Sequence, residues 1–243
     1  MASAPSMTTL AQPRPDLAFE ALLAARSSCR GFLPDPLPAA TIDRLLALAQ
    51  RAPSWCNVQP WQLTILSGAA TDALRDALVE QALHSRYAQP DIPFPTRYEG
   101  VYDARRKDCG KQLYTSMGIA PGDREASEKA GLDNFRFFGA PHVAIVHTPE
   151  ALGEYGLIDC GGYVTALMLA ARSLGVATIA QAALALHAPL LHRRLAIPSD
   201  RRILCGISFG LEDPDAPANA LRMKRAPTAE VATFLTRLAG EEA

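Results

Sequence analysis

The amino-acid sequence predicts an α+β fold in a single domain. Apolar, strand-like runs at residues 63–66, 142–147, 176–180 and 203–210 are distributed among stretches with helical apolar spacing. No internal repeat and no clear boundary divides the 243 residues. A hydrophobic content of 49% and a mean hydropathy of +0.02 can fill one sizeable core.

Taken in order, residues 1–15 are rich in Ala, Ser, Thr and Pro and are expected to be a flexible arm. The apolar stripe Leu17, Ala18, Ala21, Leu22 and Ala25 predicts a helix over 16–26. The proline-rich stretch 33–38 can only be an extended connector. Thr41 is expected to cap a second helix, with Ile42, Leu45, Leu46 and Ala49 buried, which Pro53 ends. After the strand at 63–66, Thr71 or Asp72 is expected to cap a helix running to about 85, with Ala73, Leu74, Ala77 and Leu78 inside. Residues 86–134 are weakly periodic and aromatic, and read as an insertion: a lid or substrate wall, or a cover over the core or a partner chain. The helix at 157–174 is apolar nearly all round, so it is expected at the domain centre or at a subunit interface. A turn at Gln181 and Ala182 leads into helical 184–195, and small residues in the strand 203–210 are spaced for close approach. A short closing helix is expected at 230–238, then a tail at 239–243.

Composition excludes several functions. Net charge is -1, so there is no global argument for nucleic acid or an acidic membrane surface. No apolar run approaches the ~20 residues of a membrane span, and the N-terminus does not read as a secretory signal, so the cytoplasm is the expected compartment. The five cysteines are scattered without a C-x-x-C, which argues against a disulfide framework and a zinc site. No dinucleotide-binding glycine turn, P-loop or nucleophile elbow is present.

Three stretches carry the chemistry. At residues 26–30, Arg26, Ser28 and Arg30 share one side whether the chain is extended or helical, and forked guanidiniums suit a phosphate or carboxylate. The alternative is a solvated basic helix end. Residues 52–62 form a proline-stiffened loop with Trp55, Trp61, Ser54, Asn57 and Gln59. Such a loop suits one wall of a pocket for a flat conjugated ligand; equally, its tryptophans could plug the core. Residues 222–225 form a second basic cluster.

Together these stretches, with Gly139-Ala140-Pro141 before a strand, resemble the nitroreductase family of FMN-dependent NAD(P)H oxidoreductases, over roughly residues 16–238. The resemblance implies a mostly antiparallel central sheet flanked by helices, in a homodimer with FMN at the interface. It implies that Arg26, Ser28 and Arg30 meet the phosphate and ribityl side, with Ser27 where many members carry Arg or His. Arg225, with Lys224 or Arg222, would close that site. Pro53, Ser54, Trp55, Asn57 and Gln59 would border the flavin from the partner. The turn Ala180-Gln181-Ala182 matches the place where members direct a backbone N–H at flavin N5.

The implied activity is hydride transfer from NAD(P)H through the flavin to a nitroaromatic or quinone-like small molecule. No side-chain base or nucleophile is then required, because the cofactor carries the chemistry. Candidate residues for the acceptor side are Trp55, Tyr98, Tyr102, Arg105, Arg106, Tyr114 and Asn134. The alternatives are a reductive dehalogenase, other flavin chemistry on the same fold, or a non-catalytic FMN-binding dimer.

Overall fold

A computed structural model describes residues 19–84 and 88–237. The expected arm and tail lie outside the described residues, as do the first turn of the predicted N-terminal helix and Tyr87. At the centre is a four-stranded sheet of β1 (Gln62–Ser67), β2 (His142–Pro149), β3 (Ala177–Gln181) and β4 (Arg201–Gly210). The strand order is β1-β2-β4-β3 and every pairing is antiparallel.

The sheet divides two apolar layers, as the two-residue period of a strand requires. Val143 and Ile145 of β2 face one cluster, with Leu74 and Leu78 of α3 (Ala69–His84) and Leu191 of α7 (Ala188–Leu195). Ala144 and Val146 face the other, with Leu45 of α2 (Ala39–Ala49) and Tyr163 and Leu167 of α6 (Gly153–Ser173). Each such aliphatic side chain, fully buried, contributes about 1.5–3 kcal/mol. β4 also admits the close approach its small residues predict. A Cβ on Gly206 would overlap the Leu184 side chain, and one on Gly210 would lie 2.8 Å from Pro141 Cδ.

Several sequence expectations are corrected. Thr41 is not a cap: α2 begins two residues earlier, Pro38 stands at its N-cap, and the Pro38 carbonyl accepts the Thr41 N–H at 2.9 Å. Neither Thr71 nor Asp72 caps α3, which starts at Ala69; Thr71 is buried and donates its hydroxyl to the Pro141 carbonyl at 3.2 Å. Ala73 is exposed, because the buried stripe runs through Thr71, Leu74, Ala77 and Leu78. α6, by contrast, is at odds with neither of its expected places: it buries a stripe through Cys160, Tyr163 and Leu167 and leaves Tyr155 and Ile158 59% and 67% exposed. The closing helix is absent among the described residues. A single 3-10 turn at Thr228–Glu230 is followed by non-helical chain, with Phe234 91% exposed. The weakly periodic insertion holds two helices, α4 (Gly100–Ser116) and α5 (Arg124–Leu132), and neither has a buried residue. Charged patterning without an apolar face explains why their periodicity was faint.

Candidate functional site

The first helix, α1 (Phe19–Ala25), stops just before the basic stretch, and the chain leaves it extended. Ser28 forms a parallel bridge with Thr178 of β3, and the Cys29 N–H donates to the Thr178 carbonyl at 3.0 Å. The strap thus lies along the outer edge of β3, whose far end is Ala180 and Gln181. Cys29 is buried between half-buried Ser28 and Arg30, and burial pushes its thiol up to about 11.

The strap is stapled to the C-terminal part of the chain by Asn219, which is only 4% exposed. Its Oδ1 accepts the Arg30 N–H at 2.6 Å, and its Nδ2 donates to the carbonyls of Gly31 at 2.8 Å and Asp213 at 2.9 Å. Arg222 donates to the Asn219 carbonyl at 2.6 Å. This staple brings the second basic cluster to the strap. Burial first, and then the nearby Arg225 charge, lower the proton affinity of Arg26. Burial likewise lowers that of Arg30. Among the described residues, none of Arg26, Arg30, Lys224 and Arg225 is ion-paired. Among the described residues, Arg225 hydrogen-bonds to the Met223 and Lys224 carbonyls, and Lys224 is exposed. Arg30 also lines an open cleft of about 700 Å³ with Arg75, Arg136 and Phe138.

The expected turn at Ala180-Gln181-Ala182 is instead the end of β3, which includes Ala180 and Gln181, followed at Ala182 by a 3-10 segment. Ala180 and Ala182 are exposed while the Gln181 side chain is buried. That side chain accepts the Ser208 hydroxyl at 2.5 Å and donates to the Asn134 carbonyl at 2.8 Å. It therefore ties the end of the insertion to the sheet rather than facing outward.

The tryptophan loop divides its two rings between core and surface. Trp61 is 5% exposed, stacks on Tyr163 with centroids 4.7 Å apart and donates Nε1–H to Gln50 at 3.1 Å. Trp55 is 58% exposed and meets the Tyr155 ring edge-on at 4.5 Å. Between them Cys56, Asn57 and Gln59 adopt φ of 48°, 56° and 51°, a left-handed geometry costing roughly 1–2 kcal/mol for each such residue. The strain is held by named bonds. Ser54 Oγ accepts the Gln59 N–H at 2.9 Å, Gln50 donates to Gln59 Oε1 at 2.9 Å, and Gln59 donates to the Asn57 carbonyl at 3.1 Å. The Trp55 N–H is shared by both carboxylate oxygens of Asp159 on α6, at 3.2 and 3.1 Å. Pro53 and the Asn57 side chain stay exposed at the loop surface.

Of the acceptor-side candidates, Tyr102 is 68% exposed and Tyr98 lies under the Arg106 guanidinium at 5.4 Å. Arg105 is ion-paired with Glu230 of the C-terminal segment at 2.8 Å. Arg106 and Lys107 share Asp103, and hold its carboxyl below the usual range. α4 packs against the Pro217–Ala220 turn that carries Asn219, with Tyr102 outward. Sequence reasoning missed Asn219, Gln50 and Asp159. Only Asp159 carried a signal, as the lone acid in the otherwise apolar run that predicted α6.

Residues 23–211 match the sequence profile of the Nitroreductase family. The chain is 37% identical over 237 residues to Nitroreductase NfnB of Mycolicibacterium smegmatis, covering 96% of this chain and 99% of the relative. It is 36% identical over 222 residues to a 4-nitrobenzoate reductase of Nocardioides sp., covering 90% of each. The crystal structure of the FMN-dependent nitroreductase NfnB from Mycobacterium smegmatis in complex with NADPH superposes with a TM-score of 0.85 at 36% identity, over 89% of this chain and 97% of that one. Sequence and fold agree over nearly the whole length, and the chain belongs to the nitroreductase family.

Proposed function

We propose that the protein is an FMN-dependent oxidoreductase that takes hydride from NADPH and reduces nitroaromatic acceptors of the nitrobenzoate kind. The carrying observation is the Asn219 staple, which ties the strap to the chain leading into the second basic cluster, so that the Arg225 charge acts on Arg26 while neither is ion-paired among the described residues. Such a pair is unfavourable alone and favourable around a phosphate dianion, to which guanidinium bonds are charge-assisted. These residues fit the FMN phosphate, with Ser28 and Arg30 continuing along the strap toward the ribityl chain. When bound, the isoalloxazine supplies the two-electron chemistry, so no protein nucleophile is needed.

This chain's own part is binding and shape. Arg26, Arg225 and Lys224 would hold the phosphate end. The exposed residues Ala180 and Ala182, either side of buried Gln181, would border the ring edge. The loop from Pro53 to Gln59 supplies a stiff wall, with the Asn57 amide as a free edge donor and Trp55 at its rim. Two hydride equivalents from NADPH and two protons from solvent take a nitro group through nitroso to hydroxylamine with loss of one water. Relatives described as 4-nitrobenzoate reductases, one at 36% and one at 34% identity, support the acceptor class.

A homodimer belongs to this reading. α4 carries no buried side chain, α6 leaves Tyr155 and Ile158 exposed, and Val231, Phe234 and Leu235 are exposed on the C-terminal segment. Apolar surface of this kind is characteristic of an interface. No helix among the described residues is long and apolar enough to cross a membrane. A cytoplasmic location goes with the reading, since reduced nicotinamide is supplied there. The test is anaerobic NADPH oxidation by the purified, flavin-loaded protein with 4-nitrobenzoate, nitrobenzene and a quinone. Hydroxylamine formation is expected. A flavin that NADPH cannot reduce would instead indicate a binding dimer.

A further inference from the structure

We infer that Asp159 is a positioning residue for the flavin-facing loop, acting through the backbone of Trp55; this rests on the reading of that loop as a cofactor wall. Three non-glycine residues within four positions, Cys56, Asn57 and Gln59, have left-handed backbone. Strain of this kind persists only where surrounding bonds over-determine it, and it concentrates at functional sites. From within the loop and the end of α2, Ser54 and Gln50 hold the C-terminal half by binding Gln59. Among the described residues, the N-terminal half takes its hydrogen bonds from outside the loop from the Asp159 carboxylate, which accepts the Trp55 N–H between both its oxygens.

The placement of this anchor is specific. Asp159 lies on α6 next to Cys160, which is fully buried, so the helix backbone beneath it is fixed by the core. It has no ion pair among the described residues. Asp159, Tyr155 and Trp55 line a small cleft of about 190 Å³ with Val58, Pro60 and Leu152. Holding the Trp55 N–H fixes the indole against Tyr155 and starts the bend that puts the Asn57 amide at the loop surface. Asp159 touches the loop and not the proposed ligand site, so it sets the shape of the wall without serving as a donor to the cofactor.

Two variants test this. In Asp159→Ala the FMN dissociation constant is expected to rise roughly tenfold, the effect of losing one charge-assisted hydrogen bond. Asp159→Asn keeps an acceptor oxygen and should restore most of that affinity. Trp55 emission in the apo-protein gives a readout independent of flavin. In Asp159→Ala it should become more accessible to acrylamide, with the melting temperature nearly unchanged. Unchanged quenching and unchanged FMN affinity in Asp159→Ala would overturn the inference. So would an equal loss in Asp159→Asn accompanied by a falling melting temperature, which marks a merely structural residue. If wild-type protein ignores FMN, the cofactor reading fails, while the quenching comparison still decides whether Asp159 holds the loop.

Discussion

Asn219 accepts the Arg30 N–H at 2.6 Å across 189 residues of chain, and so brings the C-terminal basic cluster to the strap, where, after burial, the Arg225 charge lowers the proton affinity of Arg26. The Asn219 staple enforces this approach by tying the strap to the chain just before the basic cluster. The repulsion has a consequence for the empty protein. Arg225→Ala should leave apo-protein as stable as wild type or raise its melting temperature by up to ~2 °C, and lower it in the presence of FMN. Differential scanning fluorimetry with and without FMN measures the reversal.

Asn219→Ala removes both partners of the strap at once. The Arg30 N–H and the Gly31 carbonyl lose their bonds beside a buried side chain, at about 1–3 kcal/mol for each unsatisfied group. Asn219→Asp should be no better than Ala. It keeps the acceptor for Arg30 but sets a carboxylate against the carbonyls of Gly31 and Asp213. Urea denaturation of the two variants should give losses of roughly 2–4 kcal/mol, with FMN affinity falling in parallel.

The two tryptophans of the loop should separate by experiment. Trp61→Ala opens the core against Tyr163 and should cost about 3–5 kcal/mol. Trp55→Ala removes an exposed ring and should change stability by less than ~1 kcal/mol. It should alter kcat/KM between 4-nitrobenzoate and a quinone. Equal loss of stability in both variants would place Trp55 in the core after all.

The histidines of β2 predict acid sensitivity. His142 accepts the Leu37 N–H at its Nε2 (2.8 Å), so its proton sits on Nδ1 and donates to Ser67 at 2.7 Å. His147 accepts the Arg201 Nε–H at 2.8 Å, and burial, then Arg201, then His192 push its pKa down to about 4. Both folded pKa values are depressed. Above the ordinary value of about 6.5 both states are neutral and nothing is lost. Below it the unfolded chain takes protons that the folded chain refuses, so stability falls from about pH 6.5 to about 4. His192, raised by its Ile197 and Asp91 bonds against the opposing effect of burial, works in the other direction and loses its contribution as pH rises. NMR titration should find His147 unprotonated until near pH 4.

Much of this was legible in the chain. Short apolar runs placed all four strands, and the helical stripes of Leu45, Leu74 and Leu78 named core residues. Paired arginines separated by one serine step marked the strap, because charge at that spacing is visible without a fold. Helix starts were missed where tertiary contact displaced local capping: Thr71 spends its hydroxyl on Pro141, not on its own helix. Asn219 was not legible because its partners Arg30 and Gly31 lie nearly the whole chain away, and Asp159, visible only as a lone acid, bonds a residue 104 positions off. The closing helix failed for a related reason. Its apolar residues at Val231, Phe234 and Leu235 have nothing to bury against within this protomer.

The central claim is that the strap and the C-terminal basic cluster together hold one phosphate. It is tested most directly by titrating FMN into apo-protein, followed by flavin fluorescence, for wild type, Arg26→Ala and Arg225→Ala. Each substitution should weaken binding by roughly 1.5–3 kcal/mol, the scale of a hydrogen bond to a charged group. Affinity unchanged in both variants would contradict the account.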